Sequence, residues 1–264
     1  MERELDEVII SRAIIDTYMN ELKEACDVDV AIAGAGPAGI TAAYYLAKAG
    51  HKVVLFESKL SPGGGMWGGG MFFNTIVVQE GGLPILDEFG VRHKRYKDNY
   101  YTADSVETVA KLLSAALSEG AKLFNVISVE DTLIIDDRVC GLVINWTPVD
   151  TSNLHVDPLT IRAKYVIEAT GHPLEVLNRF CQKKGKLLDT TDGGVQWEEP
   201  MDAVEGERLC VENTKEVYPG IFVTGMAANA VYGSPRMGPV FGGMLQSGKK
   251  VAELIIERLQ QEGQ

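Results

Sequence analysis

Four side chains have the types and positions for chemistry on a bound small molecule: His155, Asp157, His172 and Arg236. His155 and Asp157 fall in NLHVDPL, residues 153–159, an imidazole and a carboxylate two positions apart ahead of a proline. His172 follows AKYVIEATG and so stands at the carboxyl end of an expected buried strand, where open α/β sheets hold their ligands. Imidazole with carboxylate suits a divalent first-row metal that keeps positions open for substrate. The same residues have a plainer reading, in which Asp157 makes an Asx turn with Pro158 and His172 ends a strand. Spacing alone favours the turn, because two donors fall short of a metal site. Arg236, in SPRMGP, suits a bidentate grip on a carboxylate, and its plainer reading is a surface arginine. His51, in a turn, and His93, in the charged stretch RHKRYKDN, are expected in solvent.

These groups need a scaffold, and residues 27–57 supply one. An apolar run from Val28 to Ala33 meets a glycine turn, an alanine-rich helix follows to Ala49, and Val53 to Phe56 leads to Glu57. This is a βαβ unit, whose parallel strands require the crossover helix. Gly34, Gly36 and Gly39 form GxGxxG between strand and helix. The first permits the tight turn, the second lets backbone approach a pyrophosphate, and the third lets helix pack on sheet. The pyrophosphate then sits on a helix N-terminus, where N–H groups and the dipole favour anions. Glu57, at the tip of the second strand, can accept from ribose hydroxyls and disfavours a 2′-phosphate, so NAD, FAD or ADP-type ligands fit better than NADP. GxGxxG alone is a weak signal, whereas the complete βαβ context is a strong one.

Elsewhere, helical spacing predicts a helix from Ser11 to Cys26, another from Thr102 to Glu119, and a terminal amphipathic helix from about Gly242. Six glycines in the eight positions 63–70 exclude a regular element and suggest a mobile loop over a ligand. Asp136 and Asp137 mark a hairpin, and Ile221 to Thr224 a late strand. The expected fold class is α/β, a Rossmann-like dinucleotide-binding fold: one domain over 1–264, with inserted β segments at about 60–165.

A net charge of −12 and pI near 4.9 argue against nucleic-acid or anionic-membrane partners. Cys26, Cys140, Cys181 and Cys210 show no CxxC and no close pair, and read as reduced thiols. Residues 1–27 lack a signal-peptide pattern, and no apolar run approaches the roughly 20 residues of a membrane span, so a cytoplasmic protein is expected.

Taken in order, GAGPAG, GGGMWGGGM, LHVDPLTI, ATGH, and GMAANAV with RMGPVFGGM resemble the thiamine thiazole synthase family over nearly the whole chain. The likeness is closest to its archaeal and anaerobe-type members, some of which have also been described as ribose-1,5-bisphosphate isomerases. The resemblance implies a relative of flavoprotein dinucleotide-binding domains, commonly an octamer. It implies that NAD is a substrate: nicotinamide leaves, glycine condenses with the opened sugar, sulfur enters, and an adenylated carboxythiazole closes with help from Fe(II). Asp157 and His172 match the family's metal ligands, which come from neighbouring protomers, and Arg236 matches the residue that holds the glycine carboxylate. Ala38, Glu57 with Ser58, Gly65, Val129 and Met226 match dinucleotide contacts. At His155, eukaryotic members carry a cysteine that donates its own sulfur. An imidazole has none to give, so external sulfide and repeated turnover are expected.

Two other activities fit parts of the sequence. A flavin oxidoreductase would use the same βαβ unit and be yellow. An isomerase of ribose 1,5-bisphosphate would want Lys and Arg near its two phosphates, and Ser61 to Gly82 contains neither. A non-enzymatic NAD-binding module would leave the histidine and arginine motifs without a role.

Overall fold

The computed structural model describes residues 5–262. Its chain opens with α1 (Glu7–Glu24), which starts ahead of the expected Ser11 because Asp6 caps it, accepting from the N–H groups of Val8 and Ile9. The βαβ unit follows as β1 (Asp27–Ala33), α2 (Pro37–Lys48) and β2 (Val53–Glu57). After the glycine loop come β3 (Thr75–Val78), α3 (Leu83–Glu88), β4 (His93–Lys97), β5 (Tyr100–Asp104) and α4 (Ser105–Ser118). Thr102, expected to open that last helix, lies in β5. Asp104 sets the boundary, its carboxylate accepting from the Glu107 N–H.

The chain continues through β6 (Lys122–Asn125), the hairpin of β7 (Ile127–Ile135) and β8 (Arg138–Trp146), α5 (Thr147–Thr151) and β9 (Leu159–Glu168). Asp136 and Asp137 turn the hairpin with φ of 49° and 55°, the two left-handed residues that a tight type I′ turn requires. The last third adds α6 (Glu175–Lys184), α7 (Ala203–Glu212), β10 (Glu216–Tyr218), β11 (Ile221–Val223), α8 (Met226–Tyr232) and α9 (Gly242–Glu262).

Among the described residues, one eight-stranded sheet carries the fold, with order β10-β11-β9-β1-β2-β6. All of that path is parallel except β10. The long β9 forks along one edge: residues 159–162 pair antiparallel with β8, and residues 166–168 pair parallel with β11. A separate three-stranded sheet, β3-β5-β4, holds the segment after the glycine loop.

The main sheet is covered on both sides, as parallel sheets must be. One face packs Val30, Ile32 and Leu55 against Ile40 and Leu46 of α2, Leu112 of α4 and Val251 of α9. The other packs Ala31, Val54 and Phe56 against Val129 of β7, Leu177 of α6 and Val231 of α8. Fully buried side chains such as Ile32, Leu46 and Leu55 each contribute about 1.5–3 kcal/mol. That two-sided core makes the carboxyl ends of β1, β2 and β9 a firm base for loops. Among the described residues, no helix is long and apolar enough to cross a membrane.

Candidate active site

A cavity of about 880 Å³ opens at the carboxyl ends of β1, β2 and β9. Its floor is the glycine turn. Gly34 has φ of +96°, and a Cβ there would meet the Ala169 carbonyl oxygen at 2.5 Å. A Cβ on Gly39 would run into the Gly34 carbonyl, so this glycine lets α2 start flush against the turn. Gly36 differs: a Cβ on it would meet nothing within 4 Å, and the residue lines the cavity. It caps α2 without a side-chain bond, and Pro37 follows at the first helical position. The first-turn N–H groups of a helix lack intrahelical partners, and the dipole adds positive potential there. The three glycines thus divide as turn, open face and packing contact.

Glu57 ends β2 and is 7% exposed. Its Oε2 accepts from the Ala35 N–H at 3.0 Å and its Oε1 from the Lys59 N–H at 2.9 Å. These bonds fix the carboxylate beside the turn and leave lone pairs for ribose hydroxyls. Ala38, Ser58, Gly65, Val129 and Met226 line the same cavity. Behind Met226, Ser247 of α9 accepts the Gly225 N–H at 2.7 Å and bonds the hydroxyls of Thr214 and Thr224.

The next wall is the turn after β9. Glu168, with 0% exposure, accepts four hydrogen bonds. Oε1 takes the Thr170 N–H at 2.8 Å and its hydroxyl at 2.7 Å; Oε2 takes the N–H groups of Val176 and Leu177 at 2.9 and 3.1 Å. Burial pushes its pKa up, opposed by these donors. The carboxylate therefore ties the end of β9 to the start of α6, with His172 in the turn between. Glu175 also lines the cavity; burial raises its pKa, Arg179 opposes the shift and the charge of Glu57 adds to it.

His172 presents its ring to the cavity with 47% of the side chain exposed. Its Nδ1 lies 2.6 and 2.7 Å from the two carboxylate oxygens of Glu198. Arg236 lines the cavity and is exposed, and its guanidinium makes no hydrogen bond or ion pair among the described residues. An unpaired guanidinium facing a cavity is poised for a carboxylate or phosphate.

His155 and Asp157 lie apart from this group. Both are exposed in the irregular segment between α5 and β9, and neither lines the cavity. Asn153, with φ of 50°, turns the chain there, and the Asn145 side chain holds the Val156 carbonyl at 2.9 Å. Leu154, Val156 and Leu159 are also more than half exposed, so the whole stretch offers apolar and polar side chains outward together. His51 and His93, expected in solvent, are both partly buried, and each faces a carboxylate: Asp29 at 4.0 Å and Asp87 at 2.9 Å.

The donor chemistry at His172 fits one metal-ligand position, since Nδ1 is engaged and Nε2 remains. Among the described residues, no three His, Cys, Asp or Glu side chains cluster to hold an ion. The fit is thus of a single imidazole. None of the four cysteines lines the cavity, and burial raises the pKa of the Cys181 and Cys210 thiols.

Sequence reasoning missed Glu198, Glu168 and Glu175. A charge inside the apolar run YVIEAT was a visible sign for Glu168, whereas Glu198 lies 26 residues from its histidine with no local pattern.

A model of the Thi4 family matches residues 11–241. The thiamine thiazole synthase of Methanothermobacter thermautotrophicus is 57% identical over 97% of this chain and 99% of its own length. That of Pyrococcus abyssi is 55% identical over the same shares. The crystal structure of Thermovibrio ammonificans THI4 superposes with a TM-score of 0.96 at 54% identity, covering 97% of this chain and all of that one. A geranylgeranyl bacteriochlorophyll reductase-like protein from Thermoplasma acidophilum shares the fold, with TM-score 0.58 at 15% identity, covering 89% of this chain and 79% of that one.

Proposed function

The chain belongs to the Thi4 family, the thiamine thiazole synthases of thiamine biosynthesis, and from that premise we propose that it builds an ADP-linked carboxythiazole from NAD, glycine and sulfide. One observation carries this reading. The glycine turn, the Glu57 carboxylate, an unpaired Arg236 and the imidazole of His172 all open into a single cavity. The first two suit a dinucleotide, and the free guanidinium and half-exposed imidazole in the same space add a grip for a carboxylate and a donor for a metal ion.

In this mechanism NAD is consumed. Its pyrophosphate lies over Gly36 with the N–H groups of Ala38 and Gly39, and Glu57 with Ser58 holds the adenosine ribose. Val129, Met226 and Gly65 close around the dinucleotide. Water displaces nicotinamide to give ADP-ribose, which opens, tautomerises to a ketone and condenses with the glycine amine, releasing water. Arg236 grips the glycine carboxylate in a two-bond fork and so orients the amine toward the sugar. His172 is one ligand for Fe(II), and Asp157 of a second copy of the chain is another. When bound, the metal supplies Lewis-acid and template chemistry for sulfur delivery.

His155 stands where sulfur-donating relatives carry cysteine, and its imidazole has no sulfur to give. The sulfur is therefore external, and the enzyme turns over. Sharing between copies is supported by two exposed surfaces. The 153–159 segment presents Leu154, Val156 and Leu159 beside His155 and Asp157. Helix α1 buries no residue and exposes Val8, Ile9, Ile14 and Ile15. Exposed apolar stripes of this kind mark protein interfaces, and an octamer accommodates both.

The test incubates purified protein with NAD, glycine and Fe(II), with and without sulfide. Mass spectrometry should find the thiazole adenylate only with sulfide, in amounts exceeding the enzyme, and the protein mass should be unchanged. Product without sulfide, accompanied by conversion of a cysteine to dehydroalanine, refutes external sulfur. A yellow protein that returns NAD intact points to flavin chemistry. Asp157→Ala should remove metal-dependent turnover while the melting temperature holds, and wild-type rates in that variant would take Asp157 out of the site.

A further inference from the structure

His172 and Glu198 are joined through space by the shortest polar contact in the cavity wall, with Nδ1 at 2.6 and 2.7 Å from the two carboxylate oxygens. A carboxylate only accepts hydrogen bonds, so Nδ1 carries a ring proton, and in the neutral ring the lone pair lies on Nε2. A neutral imidazole left in water prefers the opposite arrangement, with the proton on Nε2. The Glu198 side chain is only 14% exposed, although a carboxylate gains from hydration. It is kept there by its neighbours. The Gln196 N–H donates to the Val231 carbonyl at 3.1 Å and the Glu199 N–H to the Ser234 carbonyl at 3.2 Å. The Arg236 N–H returns a bond to the Glu199 carbonyl at 3.3 Å. Between these anchors Trp197 adopts φ of +63°, a left-handed conformation that a bulky residue takes only when its surroundings impose it.

We propose that Glu198 is the positioning residue for His172, fixing its tautomer and ring plane so that Nε2 presents a lone pair to the cavity. Glu198 does not touch the reacting atoms; it acts through the imidazole. The inference rests on the reading of His172 as a metal ligand, and outer-shell carboxylates of this kind typically set metal affinity by about 10–100-fold.

The experiment uses the purified assembly with Co(II) as the probe ion. Four variants are compared with wild type: Glu198→Ala, Glu198→Met as a non-accepting side chain of similar length, Glu198→Gln, and His172→Asn. Solid-state 15N spectra of metal-free, histidine-labelled protein report the tautomer, and the His172→Asn difference spectrum assigns the signal. Wild type and Glu198→Gln, whose amide oxygen still accepts from Nδ1, should show the proton on Nδ1. In Glu198→Ala and Glu198→Met it should move to Nε2, and Co(II) affinity should fall by roughly 10–100-fold. Melting temperatures separate this loss from unfolding. If Glu198→Gln loses Co(II) as completely as His172→Asn, Glu198 is itself a ligand and the inference is overturned. It is overturned equally if the Nδ1 proton persists in Glu198→Ala, or if only His172→Asn weakens Co(II). Should His172→Asn leave Co(II) affinity unchanged, the metal reading itself fails and takes the inference with it.

Discussion

Glu168→Gln is nearly isosteric, yet it should be among the most damaging single substitutions in the protein. Each carboxylate oxygen of Glu168 receives two donors, all in a fully buried site. A glutamine converts one oxygen to an NH2 group. If the amide nitrogen faces α6, it opposes the N–H groups of Val176 and Leu177. If it faces the turn, it opposes the Thr170 N–H, while the Thr170 hydroxyl is already held by the Glu175 N–H at 2.9 Å. Neither flip avoids a donor against a donor. Leaving two buried donors unsatisfied at about 1–3 kcal/mol each gives an expected loss of roughly 2–6 kcal/mol. Urea unfolding at neutral pH, followed by circular dichroism, measures it. The same change should loosen the turn that carries His172 and reduce turnover beyond what the unfolded fraction explains. A loss below about 1 kcal/mol with full activity would refute the clamp, and would mean that Glu168 is held as the neutral acid.

Glu207, on α7, is buried against the start of α9, accepts the Gly243 N–H at 2.5 Å, and has its pKa pushed up to about 7 by burial. Its folded pKa exceeds the unfolded value of 4.5, so its share of stability is complete below pH 4.5 and is lost as pH rises to about 7. At about 1.4 kcal/mol per pH unit the loss is roughly 3 kcal/mol, and Glu207→Gln should flatten the urea-stability slope over that window; parallel slopes would count against it. Gly36→Ala should leave the melting temperature unchanged and weaken NAD binding, because its methyl projects into open cavity. Gly39→Ala should lower both, because its methyl meets the Gly34 carbonyl; calorimetry with NAD separates the two, and equal behaviour would overturn the division of roles. Arg236→Ala should raise the glycine KM by roughly tenfold or more, the value of one charge-assisted pair, with NAD affinity unaltered. An unchanged glycine KM would remove Arg236 from carboxylate recognition.

The parts of the fold legible in the sequence were those with local causes. Apolar runs around GAGPAG marked the βαβ unit because strand, turn and helix each follow from adjacent residues, and Asp136–Asp137 marked a hairpin in the same way. Helix starts were misplaced where a cap overrode periodicity, as Asp6 and Asp104 did. The strand His93–Lys97 was hidden because its side chains are mostly exposed and charged, so no alternation of apolar residues appears. The site divided along the same line. Gly36, Glu57, Ser58, His172 and Arg236 stand beside recognisable motifs and meet in one cavity. Glu198 becomes a neighbour of His172 only after residues 196–199 are sewn to residues 231–236, a pairing without any local signal.

That sewing also bears on how readily the pocket accepts a different amino acid. The same short ladder holds the backbone of Arg236 and, through Glu198, the imidazole of His172, so the two residues share one frame of reference. A redesign that shifts the 231–236 segment to admit a bulkier side chain would tilt the imidazole with it. Broadening the choice of amine is therefore better sought at Met71, an exposed side chain that lines the cavity and makes no hydrogen bond to residues 196–199 or 231–236.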